Sequence, residues 1–187
     1  MPYRPSEPLR AWCGPRRALL DALAAGASSE PLVEAYAVRV VAEFQGFARD
    51  LHGEGTNRAL RLAAVPQRHL RSLVRATTAE RRLDAANPSI DALARDFARL
   101  GLDDLADALS RAVPGWPAAR HDLGLLLALR NAVAHGDDLG RDKAVSRGAS
   151  VTVAWIGSAR TRLDAVAAAL DHLTWTALRD QYRKEPW

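Results

Sequence analysis

Residues 129–136, LRNAVAHG, bring together three side chains that suit work on a phosphate. Arg130 supplies a permanent cation, Asn131 an amide and His135 an imidazole. A histidine can take a proton from a ribose 2′-hydroxyl or give one to a leaving oxygen. A guanidinium can stabilise the charge that builds on the phosphate oxygens without a metal. The combination fits attack of a 2′-hydroxyl on its own phosphate, which leaves a 2′,3′-cyclic phosphate.

The spacing within residues 130–135, called the motif below, sets a geometric condition. Asn131 and His135 are four residues apart, so on a helix they share a face. Arg130 and His135 are five apart, an offset of about 140°. Arg130 must therefore curl around the helix, or the helix must loosen before Gly136, if both are to touch one phosphate. Since one histidine cannot easily act on both sides of a phosphorus, the chemistry favours a two-fold homodimer.

A purely structural role explains the same residues. Arg130 could form a salt bridge with Asp137 or Asp138. His135 would then simply be a histidine at a helix C-terminus, where its charge is favourable. An arginine and a histidine near a helix end also occur together by chance, so the motif alone does not separate the two interpretations.

Apolar residues at helical spacing dominate the chain and predict an all-α bundle with a long C-terminal helix. We expect Gly53 and Gly55 to end the first long helix, residues 137–148 to form a loop, and residues 151–156 to be extended. Helices are predicted, approximately, over residues 15–26, 29–51, 89–101, 103–109, 117–136 and 159–182.

Length and composition predict a single domain over residues 1–187, with a core over about 30–180 and a flexible segment over 1–14. The chain has no long uninterrupted apolar run and its N-terminus lacks a signal-peptide pattern, so we expect a cytoplasmic protein with no membrane contact. Cys13 is the only cysteine, which excludes an internal disulfide.

No cofactor or metal is expected, because neither the cysteine nor the remaining histidines have metal-ligand spacing. The tryptophans are scattered, which favours packing over base stacking. The histidines outside the motif are expected at the surface: His52, His69, His121 and His172.

Arginine supplies nearly all of the positive charge, since Lys143 and Lys184 are the only lysines. Its planar donors match phosphate oxygens, which favours a nucleic-acid partner. A GC-rich coding sequence would produce the same arginine bias. Within residues 58–82, a helix would place four arginines on one face, and this face is a candidate RNA-backbone surface or an ordinary solvated face. They are Arg68, Arg71, Arg75 and Arg82.

The motif resembles the signature of the HEPN superfamily of helical ribonucleases, in which an arginine and a polar residue precede a histidine. Residues 87–101, NPSIDALARDFARLG, resemble a segment before the catalytic helix in RiboL-PSP and related bacterial HEPN families. Residues 34–51, EAYAVRVVAEFQGFARDL, are similar to their first core helix. The resemblance spans roughly residues 30–180, and the motif is its specific part.

This resemblance implies an HEPN-like bundle and a metal-independent endoribonuclease that acts on RNA as a homodimer. Arg130 and His135 would be catalytic, and Asn131 would shape the site. Glu43, on the facing helix, could orient Arg130 or His135, or could simply face solvent. Many relatives are toxins or anti-phage defence effectors, which implies an antitoxin or a regulatory protein as a partner. The alternatives are a noncatalytic HEPN interaction module and an all-α nucleic-acid-binding regulator.

Overall fold

The fold is given by a computed structural model that describes residues 2–187; residue 1 of the predicted N-terminal segment lies outside the described residues. Over the described residues the chain is helical and contains no strand, so the predicted all-α class is confirmed. The α-helices of this range are α1 (Glu7–Ala11), α2 (Arg17–Gly26), α3 (Glu30–Leu62), α4 (Gln67–Thr78), α5 (Arg82–Ala85), α6 (Ile90–Phe97), α7 (Leu105–Ala112), α8 (Trp116–His135), α9 (Asp138–Ser146) and α10 (Val153–Tyr182).

The core lies where α3 packs against both α8 and α10. The apolar stripe predicted on α3 is entirely buried, because its spacings of three and four keep it on one face. Its members are Val33, Ala37, Val40, Phe44, Phe47 and Leu51. On α10, Leu163, Val166 and Leu170 are buried in the same core, which confirms the long C-terminal helix.

The helix α3 does not end at Gly53 and Gly55 but continues to Leu62, so that prediction is wrong. Gly55 is buried, and a Cβ added there would lie only 2.8 Å from Leu100 Cδ1 and 3.3 Å from Thr174 Cγ2. The missing side chain therefore allows close approach of neighbouring elements. Tertiary packing outweighs the roughly 1 kcal/mol by which glycine disfavours a helix interior.

The N-terminal segment is anchored to the core, contrary to the prediction of a flexible segment over residues 1–14. Residues 7–26 form a continuous helical stretch, with a π-helical turn at Trp12–Arg16 between α1 and α2. Trp12 is only 1% exposed, its ring contacts Phe44 and Phe47, and its Nε1 donates to Asp164 Oδ1 at 2.9 Å. A buried tryptophan of this kind fixes the segment in place.

A second anchor joins the first residues to α10. The buried carboxylate of Asp171 accepts hydrogen bonds from the hydroxyls of Tyr3 and Ser6 and from the Ser6 backbone amide. Burial raises the pKa of Asp171, while its hydrogen bonds with Ser6 and Tyr3 act in the opposite direction. The N-terminal residues thus satisfy a carboxylate that would otherwise be buried without partners.

Residues 137–148, predicted as a loop, instead contain α9. Asp137 begins this helix, its Oδ1 accepting the Gly140 amide at 2.9 Å. Arg141 binds Glu34 of α3 at 2.6 Å and also contacts Glu30. These ion pairs and the burial of Ala144 hold α9 against the bundle.

The predicted extended stretch, residues 151–156, is wrong from Val153 onward because α10 begins there. The Thr152 hydroxyl accepts a hydrogen bond from the Trp155 amide at 3.3 Å and caps the helix. Val153 and Ile156 lie in the first turns of α10, and Ile156 is buried.

His52 is fully buried, so the prediction of a surface position is wrong for this histidine. Its Nε2 lies 3.0 Å from the Asp96 carbonyl oxygen, and its ring meets Phe97 edge to face. Burial lowers the pKa of His52 to about 4, and the nearby Arg81 charge acts in the same direction. His52 is therefore neutral at pH 7, with a structural place in the core.

Among residues 2–187, no helix combines the length and apolar character needed to cross a membrane.

Candidate active site

The helix α8 places the motif on its final turns. Gly115 (φ 70°) precedes the helix and Gly136 (φ 62°) follows it, both in the left-handed region that favours glycine. Leu126 and Leu129 are buried and fix the rotation of the helix against the core. The predicted helix end at Gly136 is confirmed, and α8 is regular as far as His135.

Asn131 is the centre of the hydrogen bonding in the motif. Its Oδ1 accepts from Arg130 Nη1 at 3.1 Å and from Asn87 Nδ2 at 2.7 Å. Arginine has donors only, so this contact fixes the amide with its oxygen towards Arg130. The Asn131 amide nitrogen has no partner among the described residues and is free to donate to a ligand.

The helix α8 does not loosen before Gly136, and the Arg130 side chain turns towards Asn131, which is the first part of the geometric condition. Asn131 and His135 lie one above the other on a helix, so this contact draws the guanidinium towards the face that carries His135. His135 is exposed and has no hydrogen bond or ion pair within residues 2–187. A cation, an amide donor and an imidazole thus lie on the last two turns of α8, each at least partly exposed.

The structural alternative required Arg130 to pair with Asp137 or Asp138. Within the described part of the chain, Arg130 forms no salt bridge, and Asp137 instead caps α9. The Arg130 guanidinium, which is only half-buried, therefore keeps its charge available to an anion.

Glu43 does not take the place predicted for it. It is 6% exposed, and its two carboxylate oxygens bind Arg39 and Arg16, each at 2.5 Å. Both the role of orienting Arg130 or His135 and the alternative of a solvent-facing residue are therefore wrong. Because its oxygens are already paired, Glu43 serves to hold Arg16 against α3.

Three of the four arginines on the predicted basic face, Arg68, Arg71 and Arg75, lie exposed on α4. Arg82 does not share their helix, because α4 ends at Thr78 and Arg82 begins α5. Arg68 Nε lies 3.0 Å from His69 Nε2, whereas Arg71 and Arg75 have no ion pair among the described residues. Their role in binding RNA stays a prediction.

Sequence reasoning missed Asn87 as a site residue. It precedes Pro88 just before a predicted helix, yet its side chain reaches 44 residues along the chain to Asn131. One signal was present: Asn87 is the first residue of the segment that resembles the HEPN families. A polar side chain just before a helix is usually a local cap, so the sequence gives no reason to prefer a distant partner.

In comparisons with known proteins, no family model, curated protein or solved structure matches the chain. Within residues 2–187, no three His, Cys, Asp or Glu side chains are grouped so that they could hold a metal ion.

Proposed function

We propose that this protein is a HEPN-type, metal-independent endoribonuclease that acts on RNA in the cytoplasm as a toxin or anti-phage defence effector. The observation that supports this most strongly is the arrangement of Arg130, Asn131 and His135 at the open end of α8. Arg130 is held by an amide instead of a carboxylate, so its positive charge is not neutralised. A structural arginine in this position would be expected to find an acidic partner.

In the proposed reaction the ribose 2′-oxygen forms a bond to phosphorus and the bond from phosphorus to the 5′-oxygen breaks. One His135 accepts the proton of the 2′-hydroxyl, and a second, protonated His135 gives a proton to the leaving 5′-oxygen. Arg130 stabilises the charge on the non-bridging oxygens, and the Asn131 amide nitrogen donates to one of them. The products are a 2′,3′-cyclic phosphate and a free 5′-hydroxyl.

The second histidine would come from a second chain, since each chain has one motif and it lies on an open surface. Leu139 follows the motif on α9 and is 82% exposed, a large apolar side chain that a partner chain would cover. We therefore propose a homodimer in which two α8 ends face each other. An antitoxin or regulatory protein would act by covering or separating these ends.

The purified protein is expected to cleave single-stranded RNA in the presence of EDTA. The 3′ ends of the fragments should carry a cyclic phosphate that mass spectrometry detects directly. Activity that disappears with EDTA and returns with a divalent ion, or 3′-hydroxyl ends, would contradict the proposed chemistry. A noncatalytic RNA-binding module, which the exposed arginines of α4 favour, would bind the same RNA and leave it intact.

Replacing Asn87 with alanine is expected to lower kcat about 3- to 10-fold, because one hydrogen bond that holds Asn131 is lost. RNA affinity should change little, since the side chain carries no charge. Single-turnover cleavage and fluorescence anisotropy separate the two effects. Gln181→Ala, which removes an exposed amide on α10, serves as the control. Equal kcat in both variants would show that Asn87 does not position the motif.

A further inference from the structure

A cleft separate from the motif lies between α1, the second half of α3 and α4. Its volume is about 1100 Å³, above the roughly 300–1,000 Å³ typical of ligand pockets. We call it the α3–α4 cleft, and its walls carry five arginines: Arg49, Arg61, Arg68, Arg71 and Arg81.

Two of these arginines share one carboxylate, so one of their two positive charges is neutralised. Arg49 and Arg81 both bind Asp84, at 2.8 and 3.0 Å. Two of the acids in the walls are also paired, Asp50 with Arg16 and Glu54 with Arg58. These ion pairs belong to the wall itself and leave little charge for a ligand.

The other three arginines have no carboxylate partner within residues 2–187. Arg61 binds only the Asn57 amide oxygen, at 3.2 Å, Arg68 contacts only His69, and Arg71 has no polar partner. Glu7 is the one acid of the wall without an ion pair among the described residues. The cleft therefore keeps an excess of positive charge, presented as guanidinium groups that match phosphate oxygens.

The same cleft has an apolar part. Pro8 and Leu70 are buried in its wall and Val74 is half-buried. Aliphatic surface beside guanidinium groups suits a nucleotide, whose base and ribose can lie on the apolar part while its phosphate binds arginine. A small inorganic anion would use only half of this surface.

The short helix α5 connects the cleft to the motif along one side of α3. At one end, Arg81 Nη1 donates to the Arg49 carbonyl oxygen at 3.1 Å. Further along, Gln45 Nε2 donates to the carbonyl oxygens of Leu83 at 2.6 Å and Ala86 at 3.0 Å. The next residue, Asn87, binds Asn131 of the motif. Only six residues separate Arg81 in the cleft wall from Asn87, at most about 22 Å of extended chain, so we infer that one RNA strand reaches both places.

We propose that the α3–α4 cleft binds single-stranded RNA a few nucleotides away from the phosphate that is cleaved, an inference that rests on the proposed ribonuclease function. Single strands expose both phosphates and base faces, which are the groups that this cleft is suited to contact. Arg75, exposed on the same helix and outside the cleft, extends the basic surface along α4.

The test measures RNA binding in a His135→Ala background, where the RNA is expected to stay intact. The probe is a fluorescently labelled 12-nucleotide single-stranded RNA, followed by anisotropy at several salt concentrations. Arg61→Gln, Arg68→Gln and Arg71→Gln are combined in one variant. A second variant combines Arg111→Gln, Arg120→Gln and Arg147→Gln, which remove the same charge from exposed positions that do not line the cleft.

The cleft variant is expected to bind at least about 10-fold more weakly than the control variant. Its log Kd should depend less steeply on log salt, by about 2 units for three lost phosphate contacts on a single strand. Both variants alter exposed side chains, and circular dichroism with a thermal melt verifies that each is folded. Equal affinity of the two folded variants, or no RNA binding by either, would overturn the inference.

Adding ATP to the RNA-binding measurement tests whether the cleft instead binds a free nucleotide. Displacement of the RNA by micromolar ATP would overturn the RNA assignment in favour of a site for a free nucleotide. The test also separates a failure of the cleft assignment from a failure of the proposed function. RNA binding that depends on the cleft, in a protein whose wild type never cleaves RNA, contradicts only the ribonuclease proposal. Wild-type levels of RNA binding by the cleft variant, and of cleavage by the same three substitutions made with His135 intact, contradict only the cleft assignment.

Discussion

His135→Ala is expected to reduce the rate of RNA cleavage at least about 100-fold, because general acid–base catalysis by a positioned side chain contributes about 100- to 10,000-fold. Arg130→Ala should lower kcat about 100- to 1,000-fold through loss of stabilising charge in the transition state. Arg130→Lys should recover only part of this activity, since an ammonium group lacks the planar fork of a guanidinium. Single-turnover cleavage in EDTA measures all three.

The helix α8 offers matched controls for both residues. His121 and Arg120 are exposed on the same helix, away from the motif, and their replacement by alanine should leave cleavage within about two-fold. The motif residues are at or near the surface, so thermal melts should show all variants folded. Equal activity of His135→Ala and His121→Ala would remove the basis of the proposed function.

The proposed dimer predicts how wild-type and His135→Ala chains behave when they are mixed and allowed to exchange. If each cleavage needs two histidines, an equal mixture retains about a quarter of the activity of the same total amount of wild-type protein, since only a quarter of the pairs contain two wild-type chains. Independent chains would retain about half. Light scattering under the same conditions gives the oligomeric state, and a fully active monomer would contradict the dimer.

The second large effect concerns stability. Trp12→Ala is expected to lower the free energy of unfolding by about 3–5 kcal/mol, the usual cost of truncating a buried aromatic side chain. The change empties the space against Phe44 and Phe47 and leaves Asp164 without the indole hydrogen bond. It would also release α1 and the π-helical turn, which Trp12 joins to the core.

Urea denaturation followed by circular dichroism measures this loss. Cys13→Ala provides the control, because the neighbouring side chain is exposed and its removal should change stability by no more than about 0.5 kcal/mol. If Trp12→Ala and Cys13→Ala unfold at the same urea concentration, the N-terminal segment contributes nothing to the stability of the core. The prediction that this segment is flexible would then be correct.

Local sequence was sufficient wherever a helix face is apolar along its whole length. The α3 stripe from Val33 to Leu51 is buried as its spacing predicts, and so are Leu163, Val166 and Leu170 on α10. The end of α8 at Gly136 was also predictable, since a glycine in the left-handed region is a local requirement of the helix end. These features depend on residues only three or four positions apart.

Predictions failed where a residue has two possible roles and a distant contact selects one. The sequence predicts a helix end at Gly55, but the close packing of Leu100 and Thr174 against this residue favours a continuous helix. The sequence of residues 137–148 predicts a loop, but the ion pair between Arg141 and Glu34 holds a helix there. The sequence predicts that Glu43 faces either the motif or solvent. In the structure it binds Arg16, which is 27 residues away.

The sequence by itself determined an all-α chain and the presence of Arg130, Asn131 and His135 near the end of one helix. It also placed Asn131 and His135 on one face, because helix periodicity requires it. Only the tertiary structure decided that Arg130 turns towards Asn131, that Asn87 holds the same amide oxygen, and that α5 connects this amide to the α3–α4 cleft. The physical reason is that periodicity sets the direction of a side chain relative to its own helix, whereas its partner depends on which helices pack together.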